Sequence, residues 1–275
     1  MKNLMRVLCL VLVLAALLCG CGKADTGATE KAPATEPQAT EPPAPAAITT
    51  EADLAAALAN GGRVALGADL QLTQEILVKG SILDGGNFTV TGPESKEGVV
   101  ETENGITVAG GTVENVTIKG KYRAIGDRKD AGANSDVRLK NVKVDGADSY
   151  ALNFGYGNGS AGLYVDDSTL CGWSSYTKFQ QAIFTNCTFG YSENGNQGNL
   201  RPYINTTLVG CKFEGRTEAD GTVTPFNISF KNGTDGIMLT LEDCYVGDTL
   251  ITQENVSELL KVNLAGNTIV VHNTN

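Results

Sequence analysis

From Leu83 onward the chain repeats one short pattern at unequal intervals, and this register restricts the fold more than any other feature. A turn-forming residue stands at Asn87, Asn115, Asn141, Asp167, Asn186, Gly210, Asp243 and Gly266, with spacings between 19 and 33 residues. Two places before the turn come Val113, Leu139, Val165, Phe184, Leu208, Leu241 and Leu264, with Gly85 in the first copy. Three places after it come Val90, Ile118, Val144, Leu170, Phe189, Phe213, Val246 and Ile269. Polar residues such as Thr117, Lys143, Thr169 and Lys212 stand beside them. Period-two alternation describes a half-buried strand on each side of the turn. One such unit cannot bury its apolar side alone, so successive copies must stack. An antiparallel sandwich would place turns every 8–12 residues or so, which this spacing excludes.

A constant strand core with loops of changing length resembles the pectate-lyase-like superfamily. The segments 62–72 and 81–90 are similar to the first coils of such proteins, and the resemblance covers about 49–275. It implies an all-β chain, a single-stranded right-handed parallel β-helix of about eight to nine coils, with the long loops 119–136, 147–162, 172–181, 190–205 and 215–236 on one side. A short helix precedes the repeats: Thr50 is placed to cap it, Leu54 and Leu58 form a narrow apolar stripe, and Asn60-Gly61 stops it. Its expected place is the open end of the stack. This architecture hosts lyases, hydrolases, adhesins and non-enzymes, so the resemblance bears on fold and not on activity.

The N-terminus carries an address. Lys2 and Arg6 precede an apolar run from Val7 to Leu18, too short for an ordinary membrane span and suited to a signal peptide. Leu18-Cys19-Gly20-Cys21 resembles the bacterial lipobox, which implies that Cys21 is lipidated and begins the mature chain. Five of the eight prolines follow in 22–47, with no aromatic, Leu, Ile or Val, as in an extended spacer. The expected organisation is therefore a signal peptide over 1–20, lipidated Cys21 and a spacer to 47, and one domain over 48–275. The expected location is extracytoplasmic, with the membrane as a partner through the anchor.

Composition narrows the chemistry. A net charge of −10 without a basic run argues against nucleic acid as a partner. The one histidine, His272, lies near the C-terminus, which argues against metal-histidine sites and Ser-His-Asp catalysis. Three of the four domain cysteines, Cys187, Cys211 and Cys244, share the position after the turn that Val116 and Val142 hold in earlier copies. They read as buried apolar fillers, with Cys171 on the outward phase. Hydrolases of the resembled superfamily carry a Gly-His-Gly motif, which is missing here. Asp166-Asp167 offers a carboxylate pair, but Asp167 falls on the turn.

The long loops concentrate aromatics (Tyr122, Tyr150, Phe154, Tyr156, Trp173, Tyr176, Phe179, Tyr191 and Tyr203) among amides such as Asn153. Exposed rings beside amides suit sugars. The expected ligand-binding residues are Arg123, Asp127, Tyr156, Trp173 and Arg201, with no catalytic residue and no metal ligand. Binding by ring stacking implies little salt dependence. Two functions stay open: a non-catalytic surface module that binds glycan or another extracellular ligand, and a divergent polysaccharide lyase acting on acidic polysaccharide. No cofactor is expected, apart from Ca²⁺ under the lyase alternative, whose acidic cluster would come from Asp127, Asp130, Asp136, Asp145 and Asp148.

Overall fold

The computed structural model describes residues 47–93, 104–120, 122–145, 149–194 and 197–274. All of them fall in the compact unit Ala44–Asn275. The leader, the lipobox with Cys21 and the spacer up to 46 lie outside the described residues, as does Asp148.

The described residues are all-β with two short helices, Glu51–Asn60 and Val256–Leu259. The first helix, Glu51–Asn60, begins where expected: the Thr50 hydroxyl accepts from the Asp53 amide, and Leu54 and Leu58 are buried. Gly61 ends it at φ +76°, which glycine adopts without a Cβ penalty. The helix packs against the first strands of both sheets, Arg63–Ala65, Ser81–Asp84 and Ile76–Val78.

The larger sheet contains the strand–turn–strand units. Its pre-turn strands pair in parallel, copy onto copy: Val113 with Leu139, Leu139 with Val165, Val165 with Phe184, Phe184 with Leu208, and Leu208 with Leu241. The post-turn column runs through Leu70, Val90, Ile118, Val144, Leu170, Phe189, Phe213 and Val246. Most of these side chains are buried in one hydrophobic core. The turn residues Asn115, Asn141, Asp167, Asn186 and Asp243 take φ between +49° and +53°. Asn and Asp tolerate this left-handed conformation better than most residues. Their side chains also bond between copies: Asn141 Nδ2 donates to Asn115 Oδ1 at 3.0 Å, and Asn186 Nδ2 to Asp167 Oδ1 at 3.2 Å.

The copies at the two ends depart from the expected register. In the first, Leu83 rather than Gly85 pairs with Val113, so two residues are inserted before the turn. Gly85 sits there because a Cβ would lie 2.3 Å from that of Val116. In the last, Leu264 does not join the column and is 43% exposed. The strand Thr268–His272 pairs instead with Met238–Glu242, placing Val271 on Leu241 and Ile269 on Leu239. The turn at Ala265-Gly266 leads into a pre-turn strand and does not follow one.

The expected long loops are not simply loops. Each contributes one strand to a second, eight-stranded sheet with all pairs parallel, and three more strands of that sheet come from outside those loops. In chain order the strands of this sheet are Ile76–Val78, Asn104–Val108, Arg123–Gly126, Tyr150–Phe154, Trp173–Tyr176, Asn199–Pro202, Asn227–Ser229 and Lys261–Asn263. Most of them send only one or two side chains inward, such as Ile125, Leu152, Leu200 and Ile228. Gly, Ser, Asn and Pro interrupt the alternation, so the period-two signal is too weak to read. Phe154, Tyr176 and Phe179, counted above among exposed loop aromatics, are buried by this sheet.

Candidate functional site

The outer face of the eight-stranded sheet gathers most of the polar and aromatic side chains expected at a ligand site. Parallel in-register pairing puts equivalent residues of successive copies side by side, about 4.8 Å apart. One outward column runs Arg123, Tyr150, Trp173, Asn199, Asn227 and Lys261. A second runs Gly126, Asn153, Ser175 and Arg201, continued on the next strands by Ser229 and Asn263. Neither column contains a carboxylate.

The rings lie along the pairing direction. Tyr150 and Trp173 stack with centroids 5.0 Å apart and planes 10° apart. Tyr122 meets Tyr150 edge-on at 6.0 Å. Guanidinium groups bracket the stack: Arg123 lies 5.6 Å from the Tyr150 centroid, and Arg201 lies 5.3 Å from Trp173 and 5.9 Å from Tyr203. Lys231 extends the row, 5.7 Å from Tyr203. With its amide oxygen turned toward Arg123, Asn153 accepts from Arg123 Nε at 2.9 Å and Nη1 at 3.1 Å, which aims that guanidinium. Burial raises the Tyr150 pKa, so its hydroxyl stays protonated at neutral pH. Two donors of these side chains, Trp173 Nε1 and Arg201 Nε, are buried and find no acceptor among the described residues.

The arrangement favours edge-on recognition. Stacked rings spend their faces on one another and on the guanidinium groups, leaving ring edges, a phenol, amides and cations toward solvent.

Of the five expected residues, the structure brings Arg123, Trp173 and Arg201 onto one face. Asp127 is buried, and its carboxylate accepts from the amides of Gly155 at 2.6 Å and Tyr156 at 2.9 Å. It therefore fastens the segment that carries Tyr156. Tyr156 is 51% exposed and makes no ring contact with the stack among the described residues. The sequence reading left Tyr150, Asn153, Tyr203 and Lys231 out of the chosen set. A signal for Tyr150 was present: Arg123-Ala124-Ile125 and Tyr150-Ala151-Leu152 share one pattern.

Of the acidic residues suggested for a Ca²⁺ cluster, Asp127, Asp130 and Asp136 are engaged separately, and the side chains of Asp145 and Asp148 lie outside the described residues. Arg128 pairs with Glu75 and with Asp130, at 2.8 Å for the latter. Asp136 accepts from the Gly162 amide at 2.9 Å and pairs with Arg138 at 3.0 Å. Among the described residues, no three His, Cys, Asp or Glu side chains are placed to hold a metal ion.

The cysteine column matches its reading. Cys187, Cys211 and Cys244 are buried free thiols, and Cys171 is half-buried. Each buried thiol donates to a carbonyl of the preceding copy: Cys187 to Val165, Cys211 to Phe184 and Cys244 to Leu208, at 3.3 to 3.5 Å.

No family model, no curated protein and no solved structure matches this chain, so its own geometry carries the functional argument.

Proposed function

We propose that this protein is a lipid-anchored extracytoplasmic module that binds glycan without catalysis. In this reading the domain is a right-handed parallel β-helix of the pectate-lyase-like kind. Copy-on-copy parallel pairing in both sheets supports it, as does the strong preference of parallel crossovers for the right-handed sense. Lipid on Cys21 and the spacer after it hold the domain off a membrane, and the lipobox motivates that part.

The observation that carries the functional part is the ladder of Arg123, Tyr150, Trp173 and Arg201 on one sheet face. Amides, a phenol and fixed cations aligned along several copies fit an extended, hydroxyl-rich polymer better than a compact cofactor. A glycan array probed with the full chain in mild detergent, with and without Ca²⁺, tests the reading. Expected is binding that does not need Ca²⁺ and falls in Trp173→Ala. Calcium-dependent ultraviolet absorbance from an unsaturated product would replace it with the lyase.

A further inference from the structure

Going beyond the glycan reading, we infer that Asn232 is a modification site, where the side-chain amide is lost spontaneously and the residue becomes aspartate or isoaspartate. The reaction needs only the neighbouring glycine and water. The Gly233 backbone nitrogen, once deprotonated, attacks Asn232 Cγ. A new N–C bond closes a five-membered imide, and the amide nitrogen leaves as ammonia, carrying the proton that the backbone gave up. Water then adds to one of the two imide carbonyls, opens the ring and leaves a free carboxylate. Nothing is oxidised or reduced. Asn is a thermolabile residue through this chemistry, and a following glycine favours it because no Cβ hinders the approach.

Asn-Gly occurs at 60–61, 104–105, 158–159, 194–195 and 232–233, and the fold separates the four pairs of which both residues are described. The Gly61 amide donates to the Leu58 carbonyl at 3.1 Å, closing the first helix. Asn104 is buried, and its Nδ2 donates to Thr107 Oγ1 at 2.8 Å and to the Asp127 carbonyl at 3.3 Å. The Gly159 amide donates to the Lys178 carbonyl at 2.8 Å, while Asn158 Oδ1 accepts from the Ser160 amide and hydroxyl. A nitrogen whose hydrogen is held by a carbonyl is harder to deprotonate, and a bonded side chain is not free to turn onto it. Asn232 and Gly233 are both exposed, and among the described residues neither the Gly233 amide nor the Asn232 side chain has a hydrogen-bond partner. The pair forms the middle of a turn whose Thr234 amide reaches the Lys231 carbonyl only at 3.3 Å. Gly233 takes φ +80°, with open space where a Cβ would point. Little structure must give way for Asn232 to swing onto Gly233. The product carboxylate stands on the residue after Lys231, whose Nζ lies 5.7 Å from the Tyr203 centroid. The cationic end of the ring row thus loses charge as the molecule ages, and isoaspartate also lengthens the main chain by a methylene.

Prolonged incubation of the full chain in mild detergent tests the inference, read by peptide mapping with mass spectrometry and by enzymatic labelling of isoaspartate. Conversion at Asn232 should run severalfold faster than at Asn60, Asn104 or Asn158. Its rate should rise from mildly acidic to mildly alkaline buffer, because the attacking nitrogen must first lose its proton. Gly233→Ala should slow the reaction severalfold, and Asn232→Gln should remove it, since the larger ring closes poorly. The same chain held unfolded in denaturant separates fold from sequence: there the four sites should convert at rates close to one another. Native conversion at Asn60, Asn104 or Asn158 as fast as at Asn232, or the same ranking in the unfolded chain, would overturn the inference. So would an intact Asn232 in the native protein after a time that converts it in denaturant. None of these outcomes bears on the glycan reading, which the array tests separately.

Discussion

The Asp127 carboxylate holds the amides of Gly155, Tyr156 and Ala133, joining one strand end to the next copy. Burial raises its pKa, because the charged form loses hydration that the amide hydrogen bonds only partly replace. For a carboxyl raised on folding, the contribution to stability is complete below the unfolded value and is lost as pH rises through the folded one. Asp127→Asn should remove this part of the pH profile. Denaturation midpoints of both proteins, measured upward from the ordinary carboxylate range, check it, and an unchanged slope would sink the assignment. Asp127→Ala strands several buried donors and should cost about 3 kcal/mol. Cys211 behaves differently. Hydrogen bonding with the Cys187 and Cys244 thiols, together with burial, pushes its pKa up, so it is a neutral filler. Cys211→Val should cost about 1 kcal/mol and Cys211→Asp about 4 kcal/mol, by chemical denaturation. Thiol labelling of the native protein should reach Cys171 before Cys211. The burial of Cys211 was legible from its column, since earlier copies supply Val116 and Val142 at that position. The burial of Asp127 was not, because its partners lie 28 and 29 residues away.

Among elements, the ends of the stack need the most explanation, since parallel sheets present unpaired edges there. The helix Glu51–Asn60 covers the N-terminal end through Leu54 and Leu58. Leu54→Ala should lower stability by about 3 kcal/mol, read as a shift in denaturation midpoint. At the other end, Gln253 does for the strand Thr268–His272 what another strand would do. Its Nε2 donates to the Ile269 carbonyl at 3.4 Å, and its Oε1 accepts from the Val271 amide at 3.0 Å. Gln253→Ala should free that edge, with little loss of stability and a rise in self-association at high concentration. Light scattering against concentration checks this, and a monodisperse variant at every concentration would refute the role. The helix was legible because cap, stripe and stop are all local. The glutamine was not, because its target is 18 residues away and is defined only once the last strand has docked.

For the whole molecule, each copy pairs with the copy before and the copy after, so interior strands are held on two sides and terminal ones on one. Amide exchange should therefore be slowest in the middle strands, such as Val137–Asp145 and Gly162–Asp166, and fastest in Arg63–Ala65 and Thr268–His272. Uniform protection from end to end would contradict this. The same stacking makes the ladder face, since residues from Arg123 to Lys261 become neighbours only through the register of the small sheet.

Apart from the first and last copies, the sequence by itself determined the turns, the inward columns, the thiol column and the first helix. Those features depend on local sterics and on period-two burial, which any chain with these residues must satisfy. Only the tertiary structure decided that the supposed loops pair into a second sheet. It also decided that Trp173 meets Tyr150 face to face, and that Asp127 turns inward while Arg123 and Arg201 share one face. Each of these depends on which residues become neighbours across 19 to 33 positions of variable chain. That choice is made by the packing of the inward side chains, and the short, irregular strands of the small sheet do not announce it.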